Sequence, residues 1–525
     1  MASINLGVVW YKRDLRVFDH APLVEAAKHR QVLPLYIYDA ALIRAPDCAA
    51  QHVHFINECL SELDQALSAR GSPLLAQYGE ATAVFQRVLD TFGPFTLYSY
   101  EETGNALSYE RDKRVAEWCR AHGIVWKEFP ANGVVRRLGS RDEWSDIWMQ
   151  RMKPAPLPAP DFLGKPEGTL SPQGLMQPSW MGMQDADKPL RQKGGRKQAV
   201  QLLKNFLTQS LPQYRFGMSS PLSAADVCSR LSPHIAYGTL SIREIVHKLI
   251  KTRAELNAMP AHVRPKGALE GLKSFESRLH WRCHFVQKLE SEPDIEIRNM
   301  HRGFDGLREP HFNQEYFDRW RKAETGFPLI DACMRMLAET GWVNFRMRAL
   351  LVSFSSYQLW NHWREPALHL AREFLDYEPG IHYSQIQMQS GVTGINTLRI
   401  YNPVKQAQDQ DPDGSFVRRW LPALQTVPQE FIFEPWTMPL SLQQSVGVII
   451  GTDYPPPVVD HLATASFARE TLWGMRRRSE VRDEARRVFD KHGSRNPARE
   501  GRARKSPKPS AESTGETPQL SLGLE

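Results

Sequence analysis

Five short apolar runs in the first 150 residues constrain the fold more than any other feature of this chain. LGVVWYK, QVLPLYIYD, PLLAQYG, FTLYSYEE and IVWKEFPA are rich in β-branched and aromatic residues, and a segment of helix length separates each from the next. A near-continuous apolar run suits a strand covered on both faces, and a helix-length return makes consecutive strands parallel. Residues 1–150 are therefore expected to form a doubly wound parallel-sheet, Rossmann-like α/β domain.

Beyond it the pattern changes twice. From Met152 to about Lys197 the composition shifts to Pro, Gly and Lys (KPAPLPAPDFLGKPEG, then RQKGGRK), so 151–197 reads as an interdomain linker with no core of its own. Residues 198–475 carry helical periodicity with few strand signals, which predicts an all-α second domain, and Gly341 after MLAET predicts a helix end. After Trp473 come a basic helix-like stretch and then a Ser/Pro/Lys/Glu tail expected to be disordered, and 476–525 together read as a basic, disordered tail. At 525 residues the chain exceeds one ordinary core, in keeping with two domains and a tail.

The helical part has an odd interior. FESRLHWRCHFVQKLE (Phe275–Glu290), TGFPLIDACMRMLAETGW (Thr325–Trp342), RMRALLVSFSSYQLWNHWRE (Arg346–Glu365) and EPGIHYSQIQMQSG (Glu378–Gly391) place Arg, His, Trp and Gln in what otherwise reads as buried helix. A buried polar group costs a few kcal/mol unless something pairs with it, so this number of them implies a large polar ligand sunk between helices.

Charge and cysteine content narrow the partners and compartment. Net charge is +7, yet Arg476–Lys508 alone holds thirteen Lys/Arg against five Asp/Glu, so the remaining body is close to neutral. Such a segment is either a salt-sensitive nucleic-acid arm or a solubilising tail. The six cysteines (Cys48, Cys59, Cys119, Cys228, Cys283, Cys333) form no C-x-x-C pair, which suits a reducing cytosol. Lys12 and Arg13 come too early for a secretory signal, and no 18-residue apolar run occurs. The expectation is a cytoplasmic protein without membrane contact.

From about Leu6 to His461 the chain resembles the cryptochrome/photolyase family. The polar helical segments resemble its flavin-binding half, and GVVWYKRDLRVFDHAPL (Gly7–Leu23) its opening strand and turn. CSRLSPHIAYGTLSIRE (Cys228–Glu244) resembles its phosphate-binding turn; RIYNPVKQAQDQDPDGSFVRRWLP (Arg399–Pro422) and YPPPVVDH (Tyr454–His461) resemble its closing segments. Five blocks in the right order make coincidence improbable. The resemblance implies an N-terminal antenna domain, a C-terminal helical FAD-binding domain, UV-damaged DNA as partner, and a monomer. An antenna pterin or deazaflavin is possible, with Tyr100, Glu101 and Asn105 as candidates, although polar residues after a strand are more often merely solvated. One branch of the family holds an iron–sulfur cluster on C-terminal cysteines; none follows Cys333, so neither cluster nor other metal is expected.

The resemblance also assigns residues. Ser232-Pro233 is a helix start on its own chemistry, the hydroxyl capping and proline taking the first position. By resemblance Ser229, Arg230, Leu231 and Ser232 line the FAD diphosphate, with Cys228 replacing a family hydroxyl, and Tyr214 joins the cofactor set. Arg348 and Asp376 match the pair beside the isoalloxazine ring, Glu378 a second acid near it, and His382 the residue facing N5, where relatives carry Asn, Asp or Cys. Arg282 and Trp281 match a Trp-Arg pair bordering flavin and lesion. Arg278, Asn344 and Phe345 occupy substrate positions with unusual side chains, and Gln389 is a further DNA candidate, so the lesion type is not readable.

The family's tryptophan triad is broken: no tryptophan lies between Asp376 and Arg399, the outer site near Pro310 lacks one, and only Trp363 matches. Trp360, one helical turn away on the expected helix, is a candidate for a substitute electron route with Tyr383, Tyr357 and Tyr401; core packing is the alternative. The implied activity is light-driven repair of pyrimidine photoproducts by a deoxyribodipyrimidine photolyase-type lyase. The alternatives are a cryptochrome-like blue-light photoreceptor and a nucleic-acid-binding flavoprotein without light chemistry.

Overall fold

A computed structural model describes residues 5–184 and 186–493. All five expected runs are strands: β1 (Leu6–Tyr11), β2 (Gln31–Asp39), β3 (Leu75–Gly79), β4 (Thr96–Tyr100) and β5 (Val125–Phe129). They pair in parallel in the order β3-β2-β1-β4-β5. Helices on both faces explain why β1 is wholly buried. Val9 and Tyr11 point into one core with Val53, Phe55 and Leu60 of the Ala50–Ser68 helix, while Val8 and Trp10 join Val84, Phe85 and Val115 on the other side. Edge strand β5 leaves Val125 exposed.

Strand order reverses between β1 and β4, where the crevice of a doubly wound sheet opens. Here side chains fill it: Lys12 reaches Asp112 at 2.8 Å and Arg111 reaches Glu102 at 2.5 Å, all four buried. A cavity of about 60 Å³ remains, closed on the far side by Arg282 and Glu378 of the helical domain. The antenna candidates line or approach this place. Asn105 caps the Ala106–Ala121 helix through Ser108 N–H and donates to Asp47, and Tyr100 accepts from Ala21 N–H.

The second domain is helical from Arg196 to His492, with one isolated bridge, Ile450 to Tyr454, among the described residues. Its axis is the Ala268–Ser291 helix, crossed by Pro379–Gln389. Gly380 permits that approach: a Cβ there would lie 2.5 Å from Val286 Cα. The Pro328–Thr340 helix ends at Gly341 with φ +68°, as expected. Asp331 ties the closing segment down by accepting from Thr325 N–H (2.9 Å), Thr325 Oγ1 (2.6 Å), Gly326 N–H (3.0 Å) and Tyr454 Oη (2.7 Å).

Two expectations about connecting segments change. Between Met152 and Arg196 the only helical turn among the described residues is Pro178–Met181, but the segment is not free of the core: Leu163 and Met181 are buried beside the sheet and Val32 N–H donates to Gly164 O. Residues 479–492, expected within the tail, form a helix that docks Val481, Val488 and His492. His301 Nε2 meets Val481 O at 2.8 Å, and Glu292 receives Lys491 Nζ at 2.9 Å and His492 Nε2 at 2.7 Å. A helix-like stretch was legible here; its docking, which a disordered tail would not make, was not. The rest of the expected tail lies outside the described residues. No helix among those described is long and apolar enough to cross a membrane.

Candidate functional site

The turn after Gly341 starts the Phe345–Ser353 helix, and Arg348 projects from its first turn. Its guanidinium meets Asp376 in a two-point fork, Nη1 to Oδ1 and Nη2 to Oδ2 at 3.0 Å each, while Nε donates to Val343 O at 2.8 Å. The Phe374 ring lies 4.1 Å below. Burial raises the Asp376 pKa, but the Arg348 charge and hydrogen bonds, with one from Ser232, more than offset it and hold the carboxyl below its usual range. Ser232 thus joins the same cluster.

Around Ser232 the local geometry differs from expectation. The helix is one short turn, Ser232–Ala236; Leu231 is its cap residue, Pro233 is second, and the Ser232 hydroxyl makes no capping bond. The amides of Ser229, Arg230 and Ser232 find no acceptor among the described residues. Arg230 sits at φ +54° and lays its guanidinium 3.9 Å over Trp342. Gln192 clasps it from both ends, accepting from Nε at 3.2 Å and donating to its carbonyl at 2.9 Å. Burial lowers the Arg230 pKa to about 10, so it remains a cation at neutral pH.

Arg278, Trp281 and Arg282 leave one face of the Ala268–Ser291 helix at three- and four-residue spacing. Arg282 Nη2 binds Glu378 Oε2 at 2.6 Å. Arg13, from the turn after β1, approaches the other Glu378 oxygen at 3.9 Å and donates to Ala236 O and Tyr377 O. Trp281 packs on Phe285, ring centroids 5.6 Å apart. Arg278 lies beside the Tyr214 phenol and 5.8 Å from the Phe345 ring, which is 39% exposed and marks the open rim. Asn344 commits its amide to Met218 O and Ser219 O at 3.2 and 2.7 Å. Tyr214 packs edge-on against Phe206 and Phe275, and Gln389 is buried at the end of the Pro379–Gln389 helix.

His382 Nε2 lies 2.8 Å from Ala367 O. Burial lowers its pKa to about 4, so the ring is neutral, Nε2 carries the hydrogen, and Nδ1 is left as an acceptor. Tyr383 stands 6.4 Å from both Trp363 and Tyr377, its hydroxyl 3.3 Å from that of Tyr377 and 3.1 Å from Arg364 Nη1. Trp360 does not share a helix with Trp363. It takes φ +53° after the Phe354–Gln358 π turn and packs on Phe467 at 4.9 Å, while Trp363 precedes the Arg364–Glu373 helix and donates to Asn299. The helical spacing assumed for that pair is therefore corrected.

Three contributors carry no site role in the sequence reading: Arg13, Gln192 and Trp342. Arg13 belongs to the recognised Arg-Asp-Leu-Arg turn, which was a signal without a partner; nothing local marks the other two. Together the site offers free amides beside the half-buried Arg230, suited to a diphosphate, and a forked Arg–Asp pair facing polar helices, suited to a flavin ring system. The donor set fits FAD.

Comparison with known proteins agrees. Residues 275–474 match the FAD binding domain of DNA photolyase, and residues 7–140 match the DNA photolyase domain. A deoxyribodipyrimidine photo-lyase of Streptomyces griseus is 30% identical over 90% of this chain and 100% of its own length. A cryptochrome DASH of Gloeobacter violaceus is 31% identical over 90% of this chain and 96% of its own. A Synechocystis cryptochrome structure, 23% identical, superposes with a TM-score of 0.78 over 90% of this chain and all of its own, which concerns the fold alone. With both domain models matched in order and relatives covered end to end, the chain belongs to the cryptochrome/DNA photolyase family, and its helical domain is an FAD-binding domain.

Proposed function

We propose that this protein is a flavin-dependent DNA photolyase that repairs UV pyrimidine photoproducts in light. The observation that carries this reading is the rim formed by Arg278, Trp281 and exposed Phe345 on the same two helices that carry Arg282, paired with Glu378, and Arg348, paired with Asp376. Reduced FAD, when bound, would supply a light-driven electron to two joined adjacent pyrimidines and take it back once the bonds between them have split. Extruding the lesion costs a few kcal/mol, less when stacking is already damaged, and Trp281 and Phe345 offer it aromatic surface while Arg278 offers a donor.

The remaining residues bind and orient. Ser229, Arg230 and Ser232 hold the diphosphate; Arg348 gives positive potential beside the ring, and Asp376 keeps that cation from being uncompensated in a buried place. His382, neutral and with Nε2 committed to Ala367, acts in this reading only as an acceptor toward N5. The arrangement of substrate residues is unlike the usual one, so the photoproduct is read only as a pyrimidine dimer class.

Purified, FAD-loaded protein is mixed with a UV-irradiated oligonucleotide and illuminated. Loss of dimers in light and not in darkness is the expected result. Flavin that reduces in light while dimers persist would refute repair and leave light sensing, the function of a photoreceptor.

A further inference from the structure

Away from the flavin site, a second group of buried donors lies under the His461–Arg476 helix. Arg308 is 1% exposed; Nη1 donates to Ser390 O at 3.1 Å, but Nε and Nη2 have no partner among the described residues. Its guanidinium lies 4.5 Å over Trp360 and 5.5 Å from the Tyr357 ring. Arg476, the last residue of the helix, donates from Nη2 to Asn396 O at 2.7 Å and leaves its buried Nε unsatisfied. Fully buried Tyr357 lies within electrostatic reach of both guanidiniums, and its hydroxyl also lacks a partner. Gly391 leaves room for that hydroxyl: a Cβ there would lie 2.4 Å from it.

Among the described residues no carboxylate hydrogen-bonds either guanidinium, and Glu309 acts on that of Arg308 only from a distance. Burial raises the Tyr357 pKa to about 12, so the phenol keeps its proton and donates. The neighbouring Glu309 accepts from the Arg308 backbone N–H at 3.0 Å and points its carboxylate to His362 at 3.6 Å. A buried guanidinium with open donors and no anion is unfavourable, and an anion held among such donors relieves it.

We propose that Arg308, Arg476 and Tyr357 form a binding site for a small inorganic anion of halide size, which ties the His461–Arg476 helix to the domain. Trp360 packs on Phe467 at 4.9 Å and lies 4.5 Å from the Arg308 guanidinium, and Gly391 stands against the Tyr357 hydroxyl, surroundings that suit a single-atom ion better than a phosphate ester or an organic acid. The same helix is otherwise held here by Trp360 on Phe467 and by Thr464 Oγ1 on Gln358 at 2.5 Å, so the anion adds a charged tie at its far end.

Crystals of the full chain soaked in sodium bromide should show an anomalous peak between Arg308 and Arg476. In solution the melting temperature should be several degrees higher in chloride than in gluconate, which is too large to enter, at matched ionic strength. Arg308→Met should abolish that difference. Should it fail to fold, Tyr357→Phe keeps both cations and removes one donor, and should weaken the chloride midpoint by about tenfold. Absence of a bromide peak together with equal melting temperatures in the two salts would overturn the proposal and leave water as the occupant.

Discussion

Replacing Asp376 by Asn tests whether the forked pair serves the flavin or only the fold. The substitution keeps shape and removes charge, leaving Arg348 with Val343 O, a weaker amide partner and the Phe374 ring. Breaking a buried pair this way costs about 3–5 kcal/mol, and because the Arg348 side chain is 24% exposed, water recovers part of that; about 2–3 kcal/mol is expected. Urea unfolding followed by circular dichroism reads the loss. The contribution has a defined pH window: the folded Asp376 pKa is depressed, so its stabilisation is complete above about pH 4 and disappears as pH falls through the folded value. The decisive partner experiment is Arg348→Met with Asp376→Leu, since replacing a buried pair by apolar residues is often neutral for stability. That double variant should recover most of the fold and still fail to retain FAD. Wild-type FAD affinity in the double variant would refute the reasoning and reduce the pair to an inter-helix tie.

Arg13→Ala removes the contact between the two domains at Ala236 O, Tyr377 O and Glu378; a loss of about 1–2 kcal/mol and faster FAD release, followed by flavin fluorescence, are expected. The docked Ser479–His492 helix should loosen in acid. His492 is held below its ordinary pKa by burial, so its contribution is present above about pH 6.5 and falls as pH drops, whereas Glu292, held at about 2 by His492 and Lys491, persists much lower; hydrogen exchange of this helix at pH 7 and pH 5 measures the difference. Trp363→Phe should slow light-driven flavin reduction with an external thiol, because Trp363 touches Tyr383, while Trp360→Phe should leave it nearly unchanged, since a cation 4.5 Å away disfavours an oxidised indole; equal effects would dismiss the distinction.

The sheet, its parallel pairing, the helical second domain and the turn at Gly341 were all legible in the chain, because continuous apolar strands and helix-length returns report burial from residues adjacent in sequence. The Arg348–Asp376 pair was legible through motif resemblance, and its forked geometry needed the fold. Gln192 reaching Arg230, Arg13 reaching Tyr377 and Glu378, and the docking of the 479–492 helix on Glu292 and His301 were not, since each depends on a contact between segments far apart in the chain, for which local periodicity carries no signal. The amino-acid order by itself determined which faces become interior; only tertiary packing decided which interior charges meet, because a side chain has no partner until distant backbone has been brought within hydrogen-bond reach.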